Sequence, residues 1–400
     1  MTVRNERGIA LVVVLLIVAL LSITTLEFAF SAQIYTHMAR NALSGLQANL
    51  LARSGVNLGE AILGFDDDPQ VDAFSEEWCP EPAEASCVID GAQFGLPDNM
   101  LLRIEIFDES GKLNINLTKP RNQNEYTSKV EDPTRFLLFD MWRIAFERLL
   151  ESEGIDPEAA QRLYEYWDLR IEEALNAGAD AEGMDEGDTG EDEQGETDGE
   201  TDTGADGAAD RQVNSIFATI NFTTIEDANA VLQLPADQMR RLRRFLTAAA
   251  GVTRVNANTA PAEVLLSIID DEGLVQDILT RRLDMPMASG EITALVPPVS
   301  VGEAIPDGRR MLFGSSDIFR IVASGIVNPN PLTGRGGIGR SASLLVRRRQ
   351  SRSANAGQDA PVAWTFTRLD WQKEGGALLF EEPVDPESQP NSIERDSRFF

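Results

Sequence analysis

An α+β fold follows from the order of periodicities along this 400-residue chain. One long apolar helix comes first, then a short β signal, a long helical block, and three strands near the end. Strands on either side of a helical block point to one small antiparallel sheet with a large all-helical domain inserted between its strands. The long N-terminal helix is then expected to pack its distal half on that sheet. A hydrophobic content of 42% supplies cores of this kind, and the length fits two or three domains.

The first helix starts at a sharp junction. Met1 to Gly8 is polar and carries Arg4, Glu6 and Arg7, whereas Ile9 to Leu26 is 18 residues without a charge. Such a run is long enough to cross a bilayer, and residues 9–30 read as a transmembrane segment. A cleavable secretory signal has a shorter apolar core, with its small residue after that core. Here Gly8 stands before it. A peptidase cutting between Gly8 and Ile9 removes the leader, residues 1–8, and leaves the span on the mature chain. Arg4 and Arg7 precede the span and the next Lys or Arg is Arg40. That bias puts the N-terminus in the cytoplasm and the bulk across the inner membrane, in the periplasm of a two-membrane bacterium.

Beyond the span, apolar residues recur at Ile34, Met38, Leu43, Leu46, Leu50, Leu51, Val56, Leu58 and Ile62. They form roughly one stripe of an amphipathic helix, expected to face the globular head. Gly45, Gly55 and Gly59 weaken this helix a little. Gly64 and the run Asp66-Asp67-Asp68-Pro69 end it, so the helix covers residues 9–64.

Residues 65–120 form the first part of the sheet. Leu101 to Phe107 partly alternates, Asp108-Glu109-Ser110-Gly111 turns, and Lys112 to Leu117 alternates again, which predicts a hairpin. Residues 121–312 take a helical period. Phe136 to Leu149 predicts one helix, and Asp156-Pro157 opens another. Thr223-Thr224-Ile225-Glu226 resembles a capping box. Pro235 opens a helix with Met239, Leu242 and Leu246 inward, and Asn258-Thr259-Ala260-Pro261 caps the helix of Val264, Leu265 and Ile268. Strands return within residues 313–374, at Ile318–Val327, Ser341–Arg348 and Val362–Trp371. The tail, residues 375–400, is polar.

The net charge of −30 is unevenly spread: residues 178–210 hold 14 Asp/Glu and no Lys or Arg. This low-complexity run cannot bury enough apolar area to offset its ordering entropy, and reads as a disordered loop within the helical domain. A cation-binding tract is the alternative. Such an acidic chain is a poor binder of nucleic acid, because phosphate contacts need Lys and Arg. Val255 to Leu265 resembles a helix-hairpin-helix segment, yet residues 211–283 hold eight Arg/Lys against eight Asp/Glu. A capped structural helix pair explains it better than DNA binding. Gly334, Gly336 and Gly339 match GxGxxG, but they sit between two strands after Pro331, where a dinucleotide site needs a strand-to-helix turn. No catalytic set stands out: the only histidine is His37, on the long helix. Cys79 and Cys87 are the only cysteines. An oxidising compartment lets them pair as a small structural disulfide; the alternative is two free or metal-bound thiols.

Taken in order, several segments resemble the minor pseudopilin K family of type II secretion systems. They are Arg7-Gly8-Ile9-Ala10-Leu11 at the junction, Ala52-Arg53-Ser54-Gly55-Val56, and Asp108-Glu109-Ser110-Gly111-Lys112-Leu113-Asn114-Ile115-Asn116. Asn214 to Phe217, Thr223 to Leu234, Val255 to Leu265 and Ile318 to Ile321 follow. The resemblance implies a pilin-like fold and a structural, non-enzymatic role. It implies a tip complex with the minor pseudopilins I, J and usually H, on a pseudopilus built of the major pseudopilin. It further implies cleavage between Gly8 and Ile9 by the prepilin peptidase, and N-methylation of Ile9. Most pilins carry Glu at the fifth mature position; here it is Val13. A buried carboxylate in lipid is expensive unless paired, and a subunit at the tip joins no earlier one, so Val13 fits a cap. No cofactor is required. The family allows calcium in the helical domain, with Asp168 and Asp180 the nearest candidate ligands, although Leu169-Arg170 stand where a second Asp is expected. The alternatives are a minor pilin of a type IV pilus or competence system, or a membrane-anchored periplasmic enzyme.

Overall fold

The long helix, α1, runs unbroken from Arg7 to Leu63. Its first part, from Leu11 through Phe30, exposes its apolar side chains along its whole length. Its last part lies across the five-stranded sheet. The structure, a computed structural model, describes residues 7–66, 68, 70–80, 82, 86–182, 217, 219–296, 310–328, 337–351 and 363–372. Residues 1–6, most of the acidic run, Gly334, Gly336 and the tail lie outside the described residues.

The sheet is antiparallel throughout, in the order β1 (Cys87–Asp90), β2 (Met100–Asp108), β7 (Ile318–Val327), β8 (Ile338–Ser351) and β9 (Ala363–Gln372). Alternation sends Leu102, Ile104 and Ile106 of β2 to one face, joined there by Phe319, Ile321 and Ala323 of β7 and by Ala342, Leu344 and Val346 of β8. This face meets Leu51, Ala52, Val56 and Leu63 of α1. Each large aliphatic side chain buried there contributes about 1.5–3 kcal/mol.

The stripe that the periodicity predicts is only partly the buried face of α1: Leu51 and Val56 are buried and Leu58 and Ile62 pack against the same core, whereas the members nearer the span are exposed. Leu43, Leu46 and Leu50 are 57%, 55% and 54% exposed, and the inward positions are largely small: Ser44, Ala48, Ala52, Gly55 and Gly59. Close approach explains the choice. A Cβ on Gly55 would stand 2.7 Å from Leu102 Cδ1, and one on Gly59 would stand 2.6 Å from Ile321 Cγ2. The two glycines let the helix axis sit low on the sheet, so they contribute to packing more than they subtract from helix propensity.

The helical domain enters after β2 and returns before β7. It comprises α2 (Gln123–Glu131), α3 (Leu138–Ser152), α4 (Glu158–Glu182), α5 (Ile225–Leu232), α6 (Ala236–Leu242), α7 (Ala262–Ile269), α8 (Glu272–Asp284) and α9 (Ser289–Leu295). Its core gathers Trp142, Phe146, Leu163, Trp167, Leu242, Leu265 and Ile278. The capping box of α5 lies one residue later than the sequence predicts: Thr224 caps, and the Asp227 carboxylate accepts from the Thr224 amide.

The hairpin expected at Lys112–Leu117 does not form. β2 pairs with β1 and β7, and only Leu113–Asn114 is extended, as β3, parallel to β4 (Leu246–Thr247). The Asp108 and Asn114 side chains accept from the amides of Ser110 and Asn116, at 2.8 and 3.0 Å. These local bonds wind the chain into short 3-10 turns that steer it off the sheet and into the helical domain. β1 has no counterpart in the sequence reading. Its four residues are too few for periodicity to register.

Candidate functional site

Two regions of this chain position everything else: the exposed length of α1, and the joint where β2 passes into the helical domain. On α1, Gly8 and Ile9 lie in the first turns of the helix and Val13 is half exposed in the apolar run. Among the described residues, nothing covers that run. The exposed stripe continues past the span through Ile34, Met38, Leu43, Leu46 and Leu50. Exposed apolar surface of this extent marks a site of protein or membrane interaction.

The joint is built on buried polar groups. Asp108, at the end of β2, is buried, and its Oδ2 accepts from Asn256 Nδ2 (3.1 Å), Thr259 Oγ1 (2.5 Å) and Ser316 Oγ (2.5 Å). Burial pushes its carboxyl up, against these donors, which favour the ionised form. The neighbouring Glu109 accepts from Lys112 Nζ at 2.9 Å and Arg320 Nε at 3.0 Å, and from the Thr247 hydroxyl. Burial works to raise this carboxyl too, but Lys112 and Arg320 overcome it and hold it at about 2. One strand end therefore ties β5 (Val255–Asn256), β7 and the segment before it to one point.

Asparagines complete the joint, twice and in the same way. In Leu113-Asn114-Ile115-Asn116, the Asn116 amide group donates to the carbonyls of Phe222 and Ala248, and its oxygen accepts from the Phe222 amide. In Val255-Asn256-Ala257-Asn258, the Asn258 amide group donates to the carbonyls of Met287 and Gly314, and its oxygen accepts from the Met287 amide. In each pair the first asparagine ends a two-residue strand in a parallel ladder, β3 with β4 and β5 with β6 (Leu312–Phe313), and the second follows it. The second asparagine of each pair satisfies buried backbone that no ladder reaches. The hydrophobic-Asn-x-Asn pattern of these two segments also occurs at Val327-Asn328-Pro329-Asn330, so the pattern by itself does not report the structural role.

A third polar centre was not foreseen. Arg348 is wholly buried on β8, and its guanidinium pairs with Asp66 (2.7 Å) and with Asp72, and donates to the Leu63 carbonyl at 3.2 Å. It also lies over the rings of Trp364 and Phe319, at 4.2 and 4.7 Å. In sequence it is the middle of Arg347-Arg348-Arg349, a run that reads as solvated charge. Asp66, Asp72 and Glu76 are the one group of at least three carboxylate, thiol or imidazole side chains that converge closely enough for an ion among the described residues. The guanidinium already supplies the cation there. Glu76, desolvated although it accepts from the Ala73 amide and Trp78 Nε1, is pushed up to about 7.

Asp168 and Asp180 do not come together. Both lie on α4, and at 1.5 Å per residue they stand about 18 Å apart along its axis. Calcium ligands must all lie within about 2.6 Å of one ion, so this pair cannot share one. Asp168 instead faces Arg143 at 3.8 Å. The reason is helix continuity: α4 runs from Glu158 to Glu182 through both positions.

Cys79 and Cys87 are both buried, as free thiols, in the core beneath α1. Cys87 is the first residue of β1, and its Sγ donates to the Trp78 carbonyl at 3.7 Å.

No family model matches the chain. It is 27% identical over 288 residues to the type II secretion system protein K of Pseudomonas aeruginosa, an alignment covering 70% of this chain and 73% of that protein. The resemblance read from the ordered motifs is borne out by this relative. A chain of the crystal structure of the GspK-GspI-GspJ complex from the enterotoxigenic Escherichia coli type 2 secretion system aligns with a TM-score of 0.46. It is 15% identical, and the alignment covers 84% of this chain and 99% of that one.

Proposed function

We propose that this chain is a minor pseudopilin of a type II secretion system, which forms with other minor pseudopilins the tip complex that initiates and caps the pseudopilus. The observation that carries the reading is α1. One rigid helix links a fully exposed apolar span to the sheet, and leaves a second apolar stripe, Leu43, Leu46 and Leu50, facing away from its own head. A stripe turned outward just beyond the membrane serves packing against the corresponding helix of a neighbouring subunit. The similarity to protein K supports the same reading.

On this reading the chain works by assembly rather than catalysis. Residues 1–8 are removed by the prepilin peptidase, Ile9 becomes the methylated N-terminus, and the head resides in the periplasm, anchored once in the inner membrane. Val13 offers no carboxylate to the amine of a preceding subunit, which suits the first position in a filament. The bulky helical domain suits an end, where it need not repeat. The partners are the minor pseudopilins I, J and H, with the major pseudopilin below them.

The test is processing in cells. The full chain is expressed with and without prepilin peptidase, and the N-terminus is read by mass spectrometry. A mature chain starting at methylated Ile9 only when the peptidase is present supports the reading. An uncut chain beginning at Met1 in both cases, with the head still exported, moves the assignment to an anchored protein of another kind.

A further inference from the structure

We propose that a cavity beside the joint, where β2 gives way to the helical domain, is a docking site for an acidic peptide segment of another protein.

The cavity holds about 590 Å³ and lies between the end of β2, β4 and the first turn of α5. That is the size of pocket that receives a small ligand or a few residues of a peptide. Among the described residues, its lining holds four cations, Lys112, Arg243, Arg244 and Arg320, against two carboxylates, Glu109 and Glu226. The whole chain carries a net charge of −30, so a positive excess gathered around one hollow runs against the composition. The inner part is the buried cluster of Glu109 with Lys112 and Arg320. The outer part carries Arg243 and Arg244, both exposed.

The two carboxylates of the lining do not close the site to a third. Glu109 is held by Lys112 Nζ at 2.9 Å and Arg320 Nε at 3.0 Å. An ammonium has three donors and a guanidinium five, so both cations keep donors beyond those given to Glu109. Asp370, outside the lining, also acts on Arg320. Glu226 pairs with Arg243 at 2.6 Å, but both side chains are more than half exposed. A surface pair of that kind is weak, and an incoming carboxylate can take its place.

The chemistry of the lining selects a peptide. Phosphate sites are built on free amides at a helix N-terminus. The first turn of α5 borders this cavity, but its capping box already places the Asp227 carboxylate there, accepting from the Thr224 amide at 3.0 Å. Single-stranded nucleic acid needs open aromatic faces on which bases stack. The aromatic residue of the lining, Phe107, is half-buried and has the Lys112 ammonium over its ring at 5.4 Å. What the cavity offers is guanidinium forks, which match carboxylates two bonds at a time, with the apolar groups of Ile225, Leu246 and Ala248 between them. Aspartate and glutamate side chains on a flexible backbone fit that alternation. The site does not depend on the pseudopilin reading, and its test uses neither I nor J.

Purified full-length chain in detergent is titrated into a fluorescein-labelled peptide of alternating Glu and Ala, and binding is read by anisotropy. The expected result is saturable binding at one site that weakens as salt is raised. Arg243→Ala/Arg244→Ala should weaken it at least about tenfold, the loss of one charge-assisted hydrogen bond. Arg170→Ala/Arg281→Ala removes the same charge from exposed positions outside the lining and should leave binding unchanged. A variant that keeps every arginine guards against a folding defect: Glu226→Gln removes the competing carboxylate and should tighten binding about two- to fivefold. No binding by the natural chain would overturn the proposal, as would equal loss in the two arginine variants, or binding by Glu226→Gln that is unchanged or weaker. Labelled oligothymidylate that binds as tightly as the peptide, and is lost with the same two arginines, would overturn it in favour of a general polyanion site.

Discussion

Arg348 and Asp72 form a fully buried ion pair between the last long strands of the sheet and the connection that follows α1. Asp66 shares the same guanidinium, so one cation holds two carboxylates that would otherwise be stranded in the core. The pairing ties the connection after α1 to β8, beside the Leu63 carbonyl at the helix end.

Replacing Arg348 should therefore be among the most damaging single changes in the sheet. Arg348→Met keeps apolar contact with Phe319 and Trp364 but leaves Asp66 and Asp72 uncompensated. The expected loss is about 3–5 kcal/mol, the usual cost of breaking one side of a buried pair. Denaturant unfolding of the full chain checks it. Adding Asp72→Asn and Asp66→Asn to that variant should recover part of the loss, because the stranded charges go with them.

Acid should loosen the joint through Glu109. Its carboxyl is held at about 2 by Lys112 and Arg320, below its ordinary 4.5. A folded-state value below the unfolded one means stability that is complete above pH 4.5 and lost as pH falls from there toward 2. Unfolding curves across that window should show stability declining, and Glu109→Gln should flatten the decline while lowering stability at pH 7. An unchanged acid limb in Glu109→Gln would assign the decline to other groups.

Alanine at Gly59 and at Gly290 should act in opposite directions. At Gly59 the new Cβ meets Ile321 Cγ2 at 2.6 Å and Ile104 Cγ2 at 3.2 Å, and overpacking costs about 1–3 kcal/mol. That exceeds the gain of about 1 kcal/mol in helix propensity. At Gly290, on α9, the new Cβ meets nothing within 4 Å, so the propensity gain stands alone. Paired melting curves would separate the two.

Much of this fold was legible, and the failures have physical reasons. β7 was readable because Ile318–Val327 is a buried apolar run between turn signals, and α4 because Pro157 and a four-residue spacing mark it. The return strand at Lys112–Leu117 alternates as a strand should, but asparagine side chains there bond backbone, and alternation does not report that. Half of the α1 stripe was readable, since Leu51, Val56, Leu58 and Ile62 meet the core, but hydrophobicity does not say which apolar side is covered within the chain, and Leu43, Leu46 and Leu50 face outward where Ser44 and Ala48 face in. Arg348 was hidden inside a run of arginines; burial of one member of such a run is set by strand parity and long-range carboxylates. Asp168 and Asp180 were candidates through the family resemblance, after Tyr166-Trp167 and Gly178-Ala179, and a continuous helix separates them.

The most direct test of the account is assembly through the outward face of α1. Full-length chain is co-expressed with the minor pseudopilins I and J, extracted in detergent, purified on this chain, and its stoichiometry read by native mass spectrometry. The account predicts a one-to-one-to-one complex. It also predicts that Leu46→Glu/Leu50→Glu breaks the complex while changing head stability by no more than about 0.5 kcal/mol, as for exposed positions. An intact complex in that variant, or none with the natural sequence, would contradict it.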